Sequence, residues 1–180
     1  MNDAKPATPA DLFARLDALG IAHRTVEHPP LFTVEESKAL RGPLPGGHCK
    51  NLFLKDRKGE LWLVVCLEHR RLDMRGLSEA IGSARLSFGK PELMQEVLGV
   101  TPGSVTPFAL INDSAQRVRV VLDAAMLRLD PLNYHPLVNT ATTAIASAGL
   151  LAFIRECGHD PAVVDLDPVD RNGQKGAAEA

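Results

Sequence analysis

The sequence predicts one mixed α/β (α+β) domain with an at least partly antiparallel sheet. Its 180 residues fit a single domain, and 45% hydrophobic with 23% charged residues is ordinary for a packed globule. Segments of helical periodicity alternate with short apolar runs, and several of these runs follow one another directly. The sequence has no strict strand–helix–strand alternation and no GxGxxG motif, so a dinucleotide-binding fold is not expected.

The ends of the chain differ in composition from its middle. Residues 9–167 carry the periodic apolar pattern and are predicted to form the domain. Residues 1–8 are expected to be a flexible N-terminus. From Pro168 onward large apolar residues nearly vanish, so residues 168–180 are expected to be a disordered tail.

The helices are predicted from their capping residues and apolar spacing. Thr8 and Pro9 open a first helix that Gly20 ends. Thr33 and Glu36 fit a capping box for a second helix through Leu40. Three further helices are predicted at Asp73–Ile81, Pro91–Leu98 and Ala148–Cys157.

The strands are predicted from β-branched and apolar runs between turn residues. Lys50–Lys55 and Leu61–Leu67 flank Asp56-Arg57-Lys58-Gly59 and predict a hairpin, which follows the glycine- and proline-rich loop Arg41–Gly47. The other predicted strands are His23–Glu27, the pair Val105–Ile111 and Val118–Leu122 around an Asn112-Asp113-Ser114 turn, Leu86–Phe88, and Val163–Leu166.

The charge balance limits the possible partners. Twenty Lys and Arg against 22 Asp and Glu give a formal net charge of −2, which argues against nucleic-acid binding by bulk electrostatics, and no DNA partner is expected. A net charge of −2 is still compatible with a small basic site that binds one end of an RNA. No apolar run approaches a membrane span, and the N-terminus lacks the apolar segment of a secretory signal. We therefore expect a cytoplasmic protein without a membrane partner.

The sequence motifs of the common types of catalytic site are absent or poorly matched in this sequence. There is no GxSxG motif for a serine nucleophile and no CxxC among the three cysteines, which are expected to be buried thiols. Cys49 follows His48, but neighbouring strand residues face opposite sides, which disfavours a Cys–His pair. The six histidines form no HxxxH or HxH pair. We therefore expect no metal site and no cofactor.

Three loop segments remain as candidates. Lys50 and Asn51 begin a strand after a glycine-rich loop; GSVTP (Gly103–Pro107) is a bend that exposes backbone groups; His135 precedes a proline and is pushed toward extended geometry. Each also has a purely structural explanation: an edge charge, a turn, or a histidine satisfied in the core.

In this order, KN, PGSVTPFAL and HPLVNTATT resemble the prolyl-tRNA editing domain family, and in particular its freestanding alanyl-tRNA(Pro) deacylases of the ProX type. The resemblance runs from about Ala10 to Asp165 and includes HPPLFTVEES, FGKPELM and FIRECGHDPAVVDL. It implies a twisted mixed sheet surrounded by helices, with a groove for the aminoacylated 3′ end of tRNA. It also implies hydrolysis of the ester that joins a wrong amino acid to the terminal ribose.

The resemblance also implies residue roles. Lys50 matches the lysine that holds the terminal adenosine or its phosphate, and Asn51 is expected to bond to the RNA backbone. Gly103 begins the GxxxP loop, whose backbone holds the amino end and ester carbonyl, so Ser104, Val105, Thr106 and Pro107 are expected to bind substrate. His135 matches the histidine at the amino-acid pocket, as a wall and orienting group. Arg85, ahead of a short strand, is expected to contact the acceptor stem; a solvated surface charge is the alternative.

The substrate is expected to be mischarged alanyl-tRNA(Pro), with prolyl-tRNA synthetase as a further partner. The shared motifs leave two alternatives open. One is a deacylase of the same family for cysteinyl- or seryl-tRNA. The other is a non-catalytic module that binds tRNA ends or a synthetase.

Overall fold

The computed structural model describes residues 5–30 and 44–172. A mixed sheet has the strand order β1-β7-β6-β2-β3-β5-β8, and β4 pairs with the end of β2. The β2–β3 pair is antiparallel and the β3–β5 pair is parallel, which confirms the predicted fold class. The strands are β1 (His23–Glu27), β2 (Gly47–Asp56), β3 (Leu61–Leu67), β4 (Leu86–Phe88), β5 (Val118–Asp123), β6 (Leu132–Tyr134), β7 (Ala141–Ile145) and β8 (Ala162–Val164).

Within the described ranges, the α-helices are α1 (Pro9–Ala18), α2 (Met74–Ile81), α3 (Pro91–Leu98) and α4 (Ser147–Glu156). The Thr8 hydroxyl accepts the Asp11 N–H, and the Asp11 carboxylate accepts the Thr8 N–H, so α1 begins with a complete capping box. Asp73 caps α2 by accepting the Gly76 N–H. The helix predicted from Thr33 to Leu40 lies outside the described residues.

The sheet separates two hydrophobic cores, and β2 contributes to both. Asn51 and Phe53 oppose core residues of β3 on the side covered by α1, α3 and α4, here called the three-helix face. Lys50 and Leu54 lie on the opposite side, here called the α2 face because Leu77 of α2 packs there. The α2-face core, as far as the chain is described, includes no residue of β1, β6 or β7. That part of the sheet therefore lies outside the α2-face core.

The predicted strand Val105–Ile111 is wrong. Residues Pro107–Asn112 form a 3₁₀ helix that Thr106 caps, since its hydroxyl accepts the Phe108 N–H at 3.3 Å. An unbroken apolar run is compatible with a buried strand or a buried helical turn, and proline at the first position favours the turn. The partners of β5 are β3 and β8, both parallel to it.

Ordered structure extends past the predicted boundary at residue 168. Asp167–Val169 form a 3₁₀ turn, and Asp170 is buried and pairs with Leu72. The Arg71 N–H donates to the Asp170 carboxylate at 3.0 Å. Within the described ranges, no helix is long and apolar enough to cross a membrane.

Candidate active site

The start of β2 is fixed against β6. Gly46 has φ +100°, and a Cβ there would lie 2.1 Å from the Pro131 carbonyl oxygen, so only glycine fits. The Gly47 N–H donates to that carbonyl at 2.8 Å, and the Asn133 amide donates to the Gly47 carbonyl at 3.0 Å. The strand that carries Lys50 therefore begins in a defined register.

This register puts Lys50 and His135 on the same face of the sheet. Parallel pairing matches Gly47 with Leu132 and His48 with Asn133. Continued two residues beyond these pairs, the same register would align Tyr134 with Cys49 and His135 with Lys50. The Cys49 thiol and the Tyr134 hydroxyl are hydrogen-bonded, which agrees with this alignment. Because side chains alternate along both strands, Lys50 and His135 share the α2 face.

The Lys50 ammonium is held by a rigid turn. It donates to the backbone carbonyl of Arg70. The Arg70 guanidinium is buried and binds the carboxylates of Asp123 at 2.5 Å, Asp167 at 2.7 Å and Asp170 at 3.2 Å. These ion pairs fix the turn, so the carbonyl that receives Lys50 has a fixed position.

His135 is half-buried at the end of β6. Its Nδ1 lies 3.0 Å from the Ala141 carbonyl oxygen. A carbonyl only accepts, so Nδ1 carries the hydrogen, and Nε2 of the neutral ring is the acceptor nitrogen. The His28 ring lies 6.2 Å away, centroid to centroid, and its Nε2 is 2.8 Å from the Thr142 hydroxyl. His135 is thus oriented by the backbone.

The GxxxP loop lies against the segment that follows His135. Gly103 is exposed with φ +91°, and a Cβ added there would be 3.9 Å from the Asn139 amide nitrogen. Ser104 is buried, and its N–H donates to the Thr101 carbonyl at 3.0 Å. Thr106 is fully buried as the cap of the 3₁₀ helix. The buried residues Ser104 and Thr106 therefore hold the loop in place, while Gly103 faces solvent.

A buried cluster joins the three candidate segments. The Phe108 ring, next to Pro107, meets the Tyr134 ring edge-on at 6.0 Å. Tyr134 donates to the Met126 sulfur at 3.2 Å and is hydrogen-bonded to Cys49. Phe108, Tyr134 and Cys49 are the chain neighbours of Pro107, His135 and Lys50, so packing in the core holds the three candidate segments together.

Asn51 lies on the other side of the strand from Lys50. It faces the three-helix side, and its Oδ1 is buried without a hydrogen-bond partner among the described residues. Buried amide oxygens are nearly always paired, so this acceptor is a candidate for a ligand contact. Asn51 and Lys50 approach a common ligand only from different sides of β2.

Arg85 lies away from these groups. It precedes Leu86, which pairs with Asp56 near the far end of β2. The six-residue separation from Lys50 to Asp56 corresponds to roughly 20 Å. The Arg85 side chain is exposed and lines a groove of about 910 Å³ beside β4. Its place suits a more distant part of a long substrate, and not the reacting end.

Cys49 is poorly placed as a nucleophile. Burial raises the pKa of its thiol to about 12, so the reactive thiolate is scarce near neutral pH. His48 lies on the opposite face, with Nε2 3.1 Å from the Leu44 carbonyl oxygen. In the described part of the chain, no group of three or more His, Cys, Asp or Glu side chains is arranged to hold a metal ion.

Residues 28–153 match the model of the aminoacyl-tRNA editing domain. The chain belongs to the aminoacyl-tRNA editing domain family. The match contains Lys50, the GxxxP loop and His135, and it confirms the expectation of an aminoacyl-tRNA deacylase, a hydrolase that acts in translation fidelity.

Curated relatives agree with this family. The chain is 40% identical over 163 residues to prolyl-tRNA synthetase associated domain-containing protein 1 of Bos taurus, covering 88% of this chain and 95% of that one. It is 33% identical over 165 residues to the prolyl-tRNA editing protein ProX of Acetoanaerobium sticklandii, covering 91% and 98%.

A solved structure shows the same fold. A candidate trans-editing enzyme for prolyl tRNA synthetase superposes with a TM-score of 0.66 at 22% identity, covering 88% of this chain and 98% of that one.

Sequence reasoning missed two contributors to the site. Arg70 acts through its backbone carbonyl, and no motif marks it. Asn139 lies within the HPLVN segment, but only the fold brings it to Gly103.

Proposed function

We propose that this editing-family deacylase hydrolyses mischarged alanyl-tRNA(Pro) in trans, at the terminal ribose ester. The observation that carries the proposal is the placement of Lys50 and His135 on one face of the sheet, with Gly103 near Asn139 of the segment that follows His135, all within the matched editing domain. The name of the 33% identical ProX relative supports prolyl-tRNA editing as the context.

Lys50 binds the terminal nucleotide in this proposal. Its ammonium exchanges the Arg70 carbonyl for a phosphate or ribose oxygen, a role that suits a flexible point charge. Asn51 contributes its unpartnered Oδ1 from the other side of the strand, where it accepts a hydroxyl or amino hydrogen of the RNA.

The GxxxP loop supplies the electrostatic part of catalysis. The Ser104 N–H is committed to the turn, so the proposed donors to the developing oxyanion are the N–H groups of Gly103 and its other loop neighbours. Water, held with help from the substrate's own 2′-hydroxyl, attacks the ester carbonyl. His135 forms the wall of the amino-acid pocket and orients the substrate.

The choice of alanine follows from the limits of a synthetase pocket. Alanine is smaller than proline, and a hydrophobic pocket rejects a substrate that lacks a methylene by only about 1–3 kcal/mol. A second site too small for proline hydrolyses the error and spares the correct product. Cysteinyl- and seryl-tRNA(Pro) are the competing substrates.

Prolyl-tRNA synthetase is the proposed partner. A candidate proline–tRNA ligase of Schizosaccharomyces pombe is 30% identical to this chain over 90 residues, which are 49% of this chain and 13% of the ligase. A related stretch within a ligase chain supports an association of the two activities.

A deacylation panel tests the substrate. Parent protein is incubated with alanyl-, cysteinyl-, seryl- and prolyl-tRNA(Pro), and ester loss is followed by scintillation counting. We expect alanyl-tRNA(Pro) to be hydrolysed fastest and prolyl-tRNA(Pro) to persist. Faster loss of the cysteinyl or seryl ester reassigns the specificity, and an inert panel contradicts the proposed activity.

Lys50→Ala is expected to abolish deacylation in the same assay. The variant loses one hydrogen bond, so its melting temperature should fall by no more than a few degrees. Lys58→Ala, in the exposed turn of the same hairpin, is the matched control and should behave as the parent. Parent-like activity in Lys50→Ala contradicts the assignment, and gross unfolding makes Lys50 a structural residue.

Gly103→Ala tests the loop. A methyl at φ +91° is strained by about 1 kcal/mol, and it narrows the approach of the ester to the backbone. We expect kcat to fall more than KM rises, because the loop acts on the transition state. Gly59→Ala, at φ +89° with open space in the β2–β3 turn, carries the same strain away from the site. An effect on KM alone contradicts an oxyanion role.

A further inference from the structure

The end of the described chain runs along the turn that carries the Arg70 carbonyl. We call Asp167–Asn172 the strap and His69–Asp73 the turn. An antiparallel bridge joins Leu72 of the turn to Asp170 of the strap. The strap is therefore part of the folded domain, and it lies beyond the segment that matches the family model.

Backbone hydrogen bonds hold the turn on both sides of this bridge. The Asp73 N–H donates to the Val169 carbonyl at 2.9 Å. The Arg171 N–H donates to the Arg71 carbonyl, also at 2.9 Å. Two such bonds around a bridging pair are the pattern of a short antiparallel ladder, so the strap gives the turn a regular backbone partner.

Side chains add further contacts, and the buried Asp170 carboxylate is at their centre. One of its oxygens accepts the Arg71 N–H and the Asn172 N–H, both at 3.0 Å. The other oxygen lies 3.2 Å from the Arg70 guanidinium. The Asn172 amide donates to the His69 carbonyl at 2.6 Å. A single carboxylate thus connects the strap to the backbone and to the side chain of the turn.

The turn contacts the proposed active site through Arg70, whose carbonyl accepts a hydrogen bond from the Lys50 ammonium. The strap and Lys50 are on the same side of the sheet, since Val169 packs in the α2-face core and Lys50 points to the α2 face. The guanidinium of the same Arg70 binds Asp167 and Asp170 of the strap, at 2.7 and 3.2 Å. The position of the Lys50 ammonium therefore depends on the strap.

An uncharged carbonyl is a suitable resting partner for this ammonium. Lysine has a long flexible side chain, and ordering such a side chain during binding weakens affinity. An ammonium that already lies at the site avoids much of this loss. It can still leave the carbonyl for a phosphate, because a hydrogen bond between two charged groups is stronger than one to a neutral acceptor. The carboxylates around Arg70 are engaged by the guanidinium, which limits their competition for Lys50.

We propose that the strap is a positioning element of the active site, which holds the Arg70 carbonyl where the Lys50 ammonium rests before the RNA binds. Asp170 is its main positioning residue. The inference rests on the proposed function, since it assumes that Lys50 binds the 3′ end of the RNA. A strap that only stabilises the fold would affect binding to the same extent with or without Lys50.

A double-mutant cycle tests this coupling. The probe is an unacylated acceptor-stem minihelix with a CCA end, and binding is followed by fluorescence anisotropy. Asp170→Ala should weaken binding about fivefold, the effect of leaving one long side chain to be ordered by the RNA. In the Lys50→Ala background, Asp170→Ala should cause no further loss, because its effect passes through Lys50. Parent affinity in Asp170→Ala, or an equal loss with and without Lys50, overturns the proposal.

A matched control removes the simple effect of charge. Asp160→Ala also deletes a carboxylate, at an exposed position in the loop before β8. Loss of a negative charge by itself favours RNA binding, so Asp160→Ala should bind at least as tightly as the parent. Weakening in Asp160→Ala equal to that in Asp170→Ala contradicts a specific role of the strap.

Two further variants separate position from stability, at a temperature where circular dichroism shows every variant to be folded. Asp170→Asn keeps an oxygen for the two N–H groups, so its affinity should lie between those of Asp170→Ala and the parent. Ile81→Ala removes apolar contacts from the α2-face core but leaves the turn intact. It should lower the melting temperature and still bind as the parent. Equal weakening in Ile81→Ala and Asp170→Ala makes the strap a purely structural element. If Asp170→Ala does not fold, Asn172→Ala, which loses the bond to the His69 carbonyl, replaces it in the cycle.

Kinetics separate this inference from the proposed function. Asp170→Ala should raise KM for an alanyl-minihelix about fivefold and change kcat less, whereas a smaller folded fraction would lower kcat and leave KM unchanged. If the parent shows the expected coupling in RNA binding but hydrolyses no ester, the proposed function fails and the role of the strap stands. If the parent hydrolyses the minihelix and Asp170→Ala keeps the parent's KM and affinity, the inference about the strap fails alone.

Discussion

The molecule holds two groups of charged side chains that differ in how their cations are neutralised. At one, the buried Arg70 guanidinium binds three carboxylates, Asp123, Asp167 and Asp170. At the other, the groove cations Lys55, Arg57, Arg85 and Lys90 have no carboxylate within salt-bridge distance among the described residues. We call these the closed cluster and the open cluster.

The difference separates a structural role from a binding role. In the closed cluster, burial acts to lower the pKa of Arg70, but the hydrogen bonds that Arg70 donates to Asp123 and Asp167 outweigh it and raise that pKa. Its charge is satisfied within the chain and fixes the turn that receives Lys50. The open cluster leaves its charge exposed to solvent. Stability should therefore depend on the first cluster, and RNA recognition on the second.

Arg70→Met is expected to have the largest effect on stability. It leaves the fully buried Asp123 carboxylate without its cation, which costs about 3–5 kcal/mol. Urea denaturation followed by circular dichroism measures the loss. Arg75→Met, at an exposed arginine of α2 that lies 3.7 Å from Glu79, should change stability by less than about 0.5 kcal/mol. Equal stability of the two variants contradicts the division into clusters.

Acid should weaken the closed cluster while leaving the cations of the open one charged. Burial alone would raise the pKa of Asp170, but the N–H groups of Arg71 and Asn172 and the Arg70 charge outweigh it, so this pKa is lowered. Burial also acts to raise the pKa of Asp113, but the hydrogen bonds from His159, Val118 and Arg117 lower it. A lowered pKa in the folded state means that the stabilisation is present above the unfolded value of about 4 and is lost as the pH falls through the folded value.

The free energy of unfolding should therefore be steady near neutral pH and decrease below about pH 4. Urea denaturation at pH 7, 5, 4 and 3 measures this profile. Asp170→Asn cannot titrate at that position, so its stability should decrease less steeply in acid. A parent profile that is flat down to pH 3 contradicts the assigned role of these carboxylates.

Local signals predicted much of this fold. The capping residues Thr8 and Asp73 and the hairpin around Gly59 correspond to the observed α1, α2 and β2–β3 pair, because each depends on contacts within a few residues. The strand at Val105–Ile111 failed because an apolar run has no distinguishing period. Strands β6 and β7 were missed because they are short and are stabilised by pairing with distant segments.

The candidate site divides in the same way. The loop at Gly103 and the residues Lys50 and His135 could be singled out from local sequence. The β2–β6 register puts Lys50 and His135 on one face, and Asn139 is the neighbour that relates Gly103 to the segment after His135. The role of the Arg70 carbonyl could not be predicted from the sequence, since every residue has a backbone carbonyl and no motif marks this one.

Arg85→Met is expected to have the smallest effect on stability. It tests most directly whether the open cluster acts in recognition and not in stability. Its side chain is exposed in the open cluster, so removing the charge should alter the free energy of unfolding by less than about 0.5 kcal/mol. The reacting ends of alanyl-tRNA(Pro) and alanyl-tRNA(Ala) are identical, so an amino-acid pocket cannot distinguish them. Discrimination has to come from groups farther along the stem, and Arg85 lies roughly 20 Å from Lys50 along β2. The ratio of kcat/KM for minihelices with the tRNA(Pro) and tRNA(Ala) stems should therefore narrow in Arg85→Met, while Arg75→Met keeps the parent ratio. An unchanged ratio in Arg85→Met would assign stem discrimination to another residue or to a protein that shields the correct tRNA.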